Sequence, residues 1–140
     1  MVRALFIEYP EDRTSWLIED EYLFGRDILV APLMEETERR DVYLPPGHWV
    51  DFQNPSQVYG GERWHSIGAG EIPCIILVRD GAIIPQAPLA QSTGDIDWSA
   101  VRTPVYAAAA TSADGLICFP DDGDLIRIRM ERDWDGWRLS

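Results

Sequence analysis

The chain has 140 residues, 46% of them hydrophobic and six of them tryptophan, which is enough apolar volume for a packed core and too much for a disordered polypeptide. That length fits one ordinary domain, or one small domain with a piece of another. A net charge of −12 excludes a basic face for nucleic-acid phosphates and disfavours a polyanionic substrate, and because all twelve cationic residues are arginine, lysine Schiff-base and P-loop chemistry are excluded too.

Residues 3–10 (RALFIEYP) form a near-continuous apolar run stopped by Pro10. They predict a strand buried on both faces, of the kind found in parallel sheets. No repeated strand–helix units follow, so the sequence reads as beginning in mid-fold. Residues 11–25 (EDRTSWLIEDEYLFG) set Trp16, Leu17, Tyr22 and Leu23 partly at helical spacing, with Gly25 as a stop, and predict one short helix. From residue 27 the texture changes. Short strand-like runs at 27–33, 40–45, 48–52, 57–60, 63–67, 74–81 and 82–86 are punctuated by Gly, Pro, Asn or Asp, the pattern of an antiparallel β-sandwich. Residues 88–99 read as a linker, and 103–112, 115–120, 124–133 and 136–140 as further strands; LIRIRME (125–131) alternates with period two. The predicted fold class is mainly β: an antiparallel sandwich with one short N-terminal helix.

No run approaches the length of apolar sequence that a membrane helix needs, and the first residues lack the apolar core and cleavage site of a signal peptide. Cys74 and Cys118 lie in apolar runs and are expected as buried free thiols in a reducing compartment, which points to the cytoplasm.

Chemistry is sparse. Glycosidase carboxyls must face each other about 5–5.5 Å apart for retention or about 6.5–9.5 Å for inversion. The acidic clusters Glu19/Asp20/Glu21, Glu35/Glu36 and Asp121/Asp122/Asp124 set neighbours on opposite faces and form no such pair. PDDGD (120–124) has turn composition and lacks the spaced ligands and closing Glu of a calcium loop. His48 and His65 have no partner at metal-ligand spacing, so a metal site on them would have to be assembled by the fold. No nucleophile-elbow motif is present. The tryptophans suit either a core or sugar stacking, and a free-standing carbohydrate-binding sandwich is the competing reading. In DVYLPPGHWVDF (41–52), Pro45, Pro46 and Gly47 predict a hairpin turn, after which alternation separates His48 from Trp49 and Asp51.

Five segments in fixed order, RALFIEYPED, EDEYLFGRDILVAPL, RDVYLPPGHWVDF, GGERWHSI and IPCIILVRDGAIIP, resemble glycoside hydrolase family 31, the α-glucosidases and α-xylosidases. The similarity runs from residue 3 to about residue 86; beyond it only DDGD (121–124) matches. After Asp51–Phe52 the sequence departs from the family's commoner Trp-x-Gly continuation. The resemblance implies that 1–26 are the last strand and helix of a (β/α)₈ barrel, 27–95 a proximal C-terminal β-sandwich and 96–140 part of a distal β-rich unit. It implies a non-catalytic portion of a retaining α-glycosidase that acts on neutral oligosaccharides without a cofactor, with α-xylosidase and α-glucosidase level. The family's nucleophile and acid motifs have no counterpart in the chain, so no catalytic residue is assigned. Glu8, Tyr9 and Asp12, at the end of the implied barrel strand, are the candidates for a supporting position near substrate, against an anchoring role with Asp12 as a cap. The implied partner is the upstream catalytic barrel, met by a seam of ILVAPL (28–33) and CIILV (74–78). In the absence of the barrel that seam predicts self-association.

Overall fold

The computed structural model describes residues 1–119 and 123–140, so the turn at PDDGD lies outside the described residues save for its last two. Two compact units are present, Met1–Asp80 and Gly81–Ser140.

In the first unit β1 (Val2–Ala4), β2 (Tyr22–Phe24), β3 (Ile28–Pro32), β4 (Arg39–Leu44), β5 (His48–Asp51), β6 (Val58–Gly60), β7 (Arg63–Gly68) and β8 (Cys74–Arg79) make two antiparallel sheets. One has six strands in the order β1-β2-β3-β8-β5-β6, and the other pairs β4 with β7. Leu23, Leu29, Ala31, Trp49, Ile75 and Leu77 of the first sheet and Val42, Leu44 and Ile67 of the second share one buried core, closed by Leu5 and Ile18. This is the sandwich expected from the strand pattern, and β3 to β8 fall on the predicted runs, bounded by the turn residues between them.

The N-terminal segment differs in detail from its prediction. The apolar run at 3–10 yields only the three-residue β1, antiparallel to β2, followed by a single helical turn α1 (Leu5–Glu8) whose Leu5 is fully buried. Residues 11–25 hold a short 3₁₀ turn, Thr14–Leu17, and then β2, so the short N-terminal helix lies one segment earlier than the spacing indicated. The acidic residue that organises the 3₁₀ turn is Asp12: Oδ1 accepts from the Thr14 N–H at 3.0 Å and Oδ2 from the Ser15 hydroxyl at 2.8 Å. Such local side-chain bonds favour a tight turn over a longer helix.

The Pro-Pro-Gly turn does not make a hairpin. β4 and β5 lie in different sheets, so residues 45–47 form an arch that carries the chain across the sandwich. A second arch, Gly61–Glu62, returns it from β6 to β7 and docks on the first. Gly61 N–H donates to Gly47 O and Glu62 N–H to Leu44 O, both at 2.7 Å. Glu62 takes φ 58° and Gly47 φ 114° to make these bends. The arches are so close that a Cβ on Gly61 would collide with the Pro45 carbonyl and lie 2.8 Å from Gly47 O, whereas one on Gly60 would meet nothing within 4 Å. Gly61→Ala is therefore expected to lower stability by about 1–3 kcal/mol, the range for forced overpacking, while Gly60→Ala stays within about 0.5 kcal/mol of the parent. Urea midpoints of the two variants check the difference.

The second unit contains β9 (Ala82–Ile83), β10 (Val105–Tyr106), β11 (Ser112–Cys118), β12 (Leu125–Asp133) and β13 (Gly136–Leu139), in one sheet of order β10-β9-β11-β12-β13. The expected strand at 103–112 is confined to Val105–Tyr106, and the linker carries two 3₁₀ turns, Thr93–Asp95 and Trp98–Ala100. No helix among the described residues is long and apolar enough to cross a membrane.

Candidate functional site

The three N-terminal candidates are each held by residues distant in sequence. Glu8 closes α1 and is bridged by two arginines: Arg3 lies 2.9 Å from Oε2 and Arg79 3.6 Å from Oε1. Arg79, the last residue of β8, also donates to the Arg26 carbonyl at 2.9 Å and approaches Asp27 at 3.7 Å. Its guanidinium lies 5.8 Å from the Tyr9 ring centre and 5.9 Å from that of Trp49, within cation–π reach of both. Burial raises the Tyr9 phenol above its ordinary value, a shift that the Arg79 charge partly offsets. Arg79 thus ties the first helical turn to the neighbouring strands β8 and β5 of the six-stranded sheet.

Asp12 has a third donor besides its own turn. The Tyr43 hydroxyl, from β4, donates to Oδ2 at 2.8 Å. Tyr43 is only 4% exposed, and its phenol is pushed up to about 12, first by desolvation and then by the hydrogen bond it donates to the Asp12 carboxylate. Trp64, directly across from Tyr43 in β7, packs on it with ring centres 5.5 Å apart and leaves its outer face to solvent.

A buried carboxylate that the sequence pattern did not single out sits beside this group. Glu21 belongs to an acidic triplet, yet it is 3% exposed while Glu19 and Asp20 face solvent. Its Oε1 accepts from the Tyr43 N–H at 2.8 Å and lies 3.7 Å from Arg40; its Oε2 is buried without a hydrogen-bond partner. Desolvation pushes this carboxyl up to about 7, against the opposing pull of the Tyr43 N–H and Arg40.

The remaining candidates are dispersed. Trp49 is fully buried, its indole N–H donating to the Pro45 carbonyl at 3.0 Å, while His48 beside it is exposed. Asp51 accepts from the N–H groups of Gln53 and Asn54 at 2.8 and 2.9 Å, a turn-forming role. His65 bonds Gly60 O at 2.7 Å and meets Tyr59 edge-on. Among the described residues no group of three His, Cys, Asp or Glu is placed to hold a metal. Glu35, Glu36 and Glu38 line an open groove of about 770 Å³. Both cysteines are free, but neither is buried as expected: Cys74 is half-buried, and Cys118 is exposed because it falls on the outer face of β11.

The strands expected at a docking seam, β3 and β8, pair with each other at the centre of the sheet, and Leu29, Ala31, Ile75 and Leu77 point into the chain's own core. Sequence reasoning missed Arg79 and Glu21 because their partners lie in distant segments. The one local sign was an arginine closing an otherwise apolar strand, CIILVR.

Taken together, Glu8, Asp12, Glu21 and Asp51 serve internal donors: arginines, a tyrosine hydroxyl and backbone amides. The arrangement anchors an N-terminal segment to a sandwich. Comparison with known proteins gives that segment a context. The profile of the glycosyl hydrolase family 31 C-terminal domain matches residues 1–84. The chain is 33% identical to alpha-glucosidase 2 of Bacillus thermoamyloliquefaciens across 94% of its own length and 17% of the relative's. It is 28% identical to an alpha-xylosidase of Emericella nidulans, covering 61% of the chain and 12% of the relative. Among solved structures, a GH31 dextranase of Flavobacterium johnsoniae superposes with a TM-score of 0.77 at 29% identity, over 93% of this chain and 17% of that one. A GH31 alpha-xylosidase of Xanthomonas citri gives 0.74 at 27% identity, over 92% and 15%. The chain therefore spans less than a fifth of the length of each of these relatives. By the match over residues 1–84 and the fold that carries it, the chain belongs to glycoside hydrolase family 31 and corresponds to its C-terminal domain.

Proposed function

We propose that the chain is the non-catalytic C-terminal portion of a longer retaining α-glycosidase that removes terminal sugars from neutral α-linked oligosaccharides. The observation that carries this reading is the pairing of a family 31 C-terminal-domain match with carboxylates that are committed to internal partners. A carboxylate held by two arginines, or by a tyrosine and a turn, is poised neither to attack an anomeric carbon nor to donate a proton. On this reading residues 1–26 mark the junction with the barrel, 27–95 the proximal sandwich and 96–140 part of a distal unit. Glu8, Tyr9 and Asp12 brace that junction, and their bonds to Arg3, Arg79 and Tyr43 support bracing over substrate contact. Relatives named for glucosidic and xylosidic activity both match, so glucose and xylose remain level as the terminal sugar. The free thiols fit a cytoplasmic setting.

The isolated chain is expected to hydrolyse neither nitrophenyl α-glucoside nor nitrophenyl α-xyloside above the blank. Turnover by the purified chain would overturn the non-catalytic assignment. The exposed Trp16, Trp64 and Trp134 support the competing reading as a sugar-binding module. In the same preparation, saturable tryptophan quenching by gluco- or xylo-oligosaccharides would favour that module, and a flat titration removes it.

A further inference from the structure

We propose that the outer face of the two-stranded sheet is an auxiliary binding site for a neutral oligosaccharide, centred on Trp64 and Asp41. The class of ligand rests on the reading that the chain is part of a glycosidase acting on such oligosaccharides. In the register of β4 with β7 three couples share the outer face: Tyr43 with Trp64, Asp41 with Ser66 and Arg39 with Gly68. The intervening Val42, Leu44 and Ile67 are buried in the core on the other side. Successive couples on one face lie about 7 Å apart along the strands, so one ligand can touch the indole, the carboxylate and the serine hydroxyl together.

These three groups are available to a ligand. Trp64 is 55% exposed although one side packs on Tyr43, and Asp41 and Ser66 are exposed beside it. Among the described residues the Trp64 indole N–H, the Asp41 carboxylate and the Ser66 hydroxyl have no partner within the chain. That sets Trp64 apart from Trp16 and Trp49, whose N–H groups donate to the carbonyls of Pro10 and Pro45. It likewise sets Asp41 apart from Glu8, Asp12, Glu21 and Asp51, which are bonded internally. The platform is held from behind: Tyr43, under the indole, donates its hydroxyl to Asp12 and its backbone N–H to Glu21, each at 2.8 Å. Beside the strip lies an open polar cavity of about 330 Å³, and Arg39 and Asp41 line it together with Asp20, Thr37 and Arg40.

The composition of the strip selects the ligand. An exposed indole face packs on the C–H face of a sugar ring, while its N–H donates to a hydroxyl. A lone carboxylate accepts from sugar hydroxyls, and a serine hydroxyl both donates and accepts. Asp41 and the net charge of −12 repel an anion. No aliphatic side chain belongs to the three couples, whereas a surface that a protein covers needs a contiguous apolar centre.

Nuclear magnetic resonance of the ¹⁵N-labelled chain tests the assignment through its six tryptophan indole N–H signals, Trp64 being the one that Trp64→Ala removes. The chain is titrated with maltotriose and, in parallel, with a xyloglucan oligosaccharide. The Trp64 signal is expected to shift saturably at millimolar concentration of at least one of them, while that of buried Trp49 stays in place. Asp41→Ala is expected to weaken binding several-fold and to leave the other indole signals where they are in the parent. A Trp64 signal that neither sugar moves overturns the proposal. Shifts confined to another tryptophan, or an Asp41→Ala chain with parental affinity, overturn it as well. Hydrolysis of nitrophenyl α-glycosides by the full-length enzyme reads the glycosidase assignment separately. An active enzyme whose C-terminal chain keeps Trp64 unmoved removes the auxiliary site alone. An inactive one with a saturable Trp64 shift removes the glycosidase reading alone and leaves a binding module.

Discussion

Trp49→Ala is expected to lower the stability of residues 1–80 by about 3–5 kcal/mol, the largest effect of any single substitution in this unit. Trp49 is fully buried in the core shared by both sheets, so its removal leaves a cavity lined by side chains from each. The same change deletes the indole N–H that holds the Pro45 carbonyl of the first arch, and one face of the Arg79 guanidinium loses its aromatic neighbour. Because small domains are stable by only about 5–15 kcal/mol, the variant should show broadened near-ultraviolet signals or fail to fold. Trp49→Phe restores most of the volume and not the hydrogen bond, and should cost about 1–3 kcal/mol, the penalty for an unmet buried acceptor. Urea denaturation of both variants checks the ranking; a Trp49→Ala protein with parental stability would remove Trp49 from the centre of the core.

The second large effect is a pH dependence set by Glu21. Its folded-state value is raised from 4.5 to about 7 by burial. Below about pH 4.5 the carboxyl is protonated in both folded and unfolded chains, and its favourable contribution is fully present. As pH rises the unfolded chain releases the proton first, so the contribution declines through the window from 4.5 to about 7 and is gone above it. A shift of that size corresponds to about 3 kcal/mol. Glu21→Gln removes the titration and keeps an acceptor for the Tyr43 N–H, so parent and variant should diverge with pH, the variant gaining about 3 kcal/mol on the parent between acid and alkaline solution. Denaturation midpoints at about pH 4 and about pH 8 measure the gap. Parallel pH profiles would show that Glu21 titrates alike in the folded and unfolded chains, so that burial does not raise it.

The strands were legible because short apolar runs are set apart by Gly, Pro, Asn and Asp, a property of the residues themselves. What lay beyond reach was which strand pairs with which. Pro45, Pro46 and Gly47 supply the turn chemistry of a hairpin and of an arch alike; the choice is made by Gly61, which admits the backbone of the second arch, and by Trp49, which faces the core. Residues 3–10 are too short an apolar run to distinguish a buried strand from a buried helical turn, and the tertiary burial of Leu5 decided for the turn. Asp12 was visible as a cap, but its bond to Tyr43 spans 31 positions, and the Glu8–Arg79 pair is more distant still. Long-range ion pairs leave no local mark. The family resemblance supplied the context that spacing did not, because five ordered segments carry more information than any one of them.

Glu8 and Asp12 are proposed to hold the N-terminal segment in place while the chemistry is done elsewhere in the polypeptide. The direct measurement is kcat and melting temperature of the full-length enzyme carrying Glu8→Gln and, separately, Asp12→Asn. A lowered melting temperature is expected for each, with kcat, assayed well below the melting temperature, within about twofold of the parent, as befits residues that move no proton in the reaction. A loss of about 10²-fold or more in kcat at unchanged melting temperature would contradict it, because that is the size of effect a catalytic acid or base contributes.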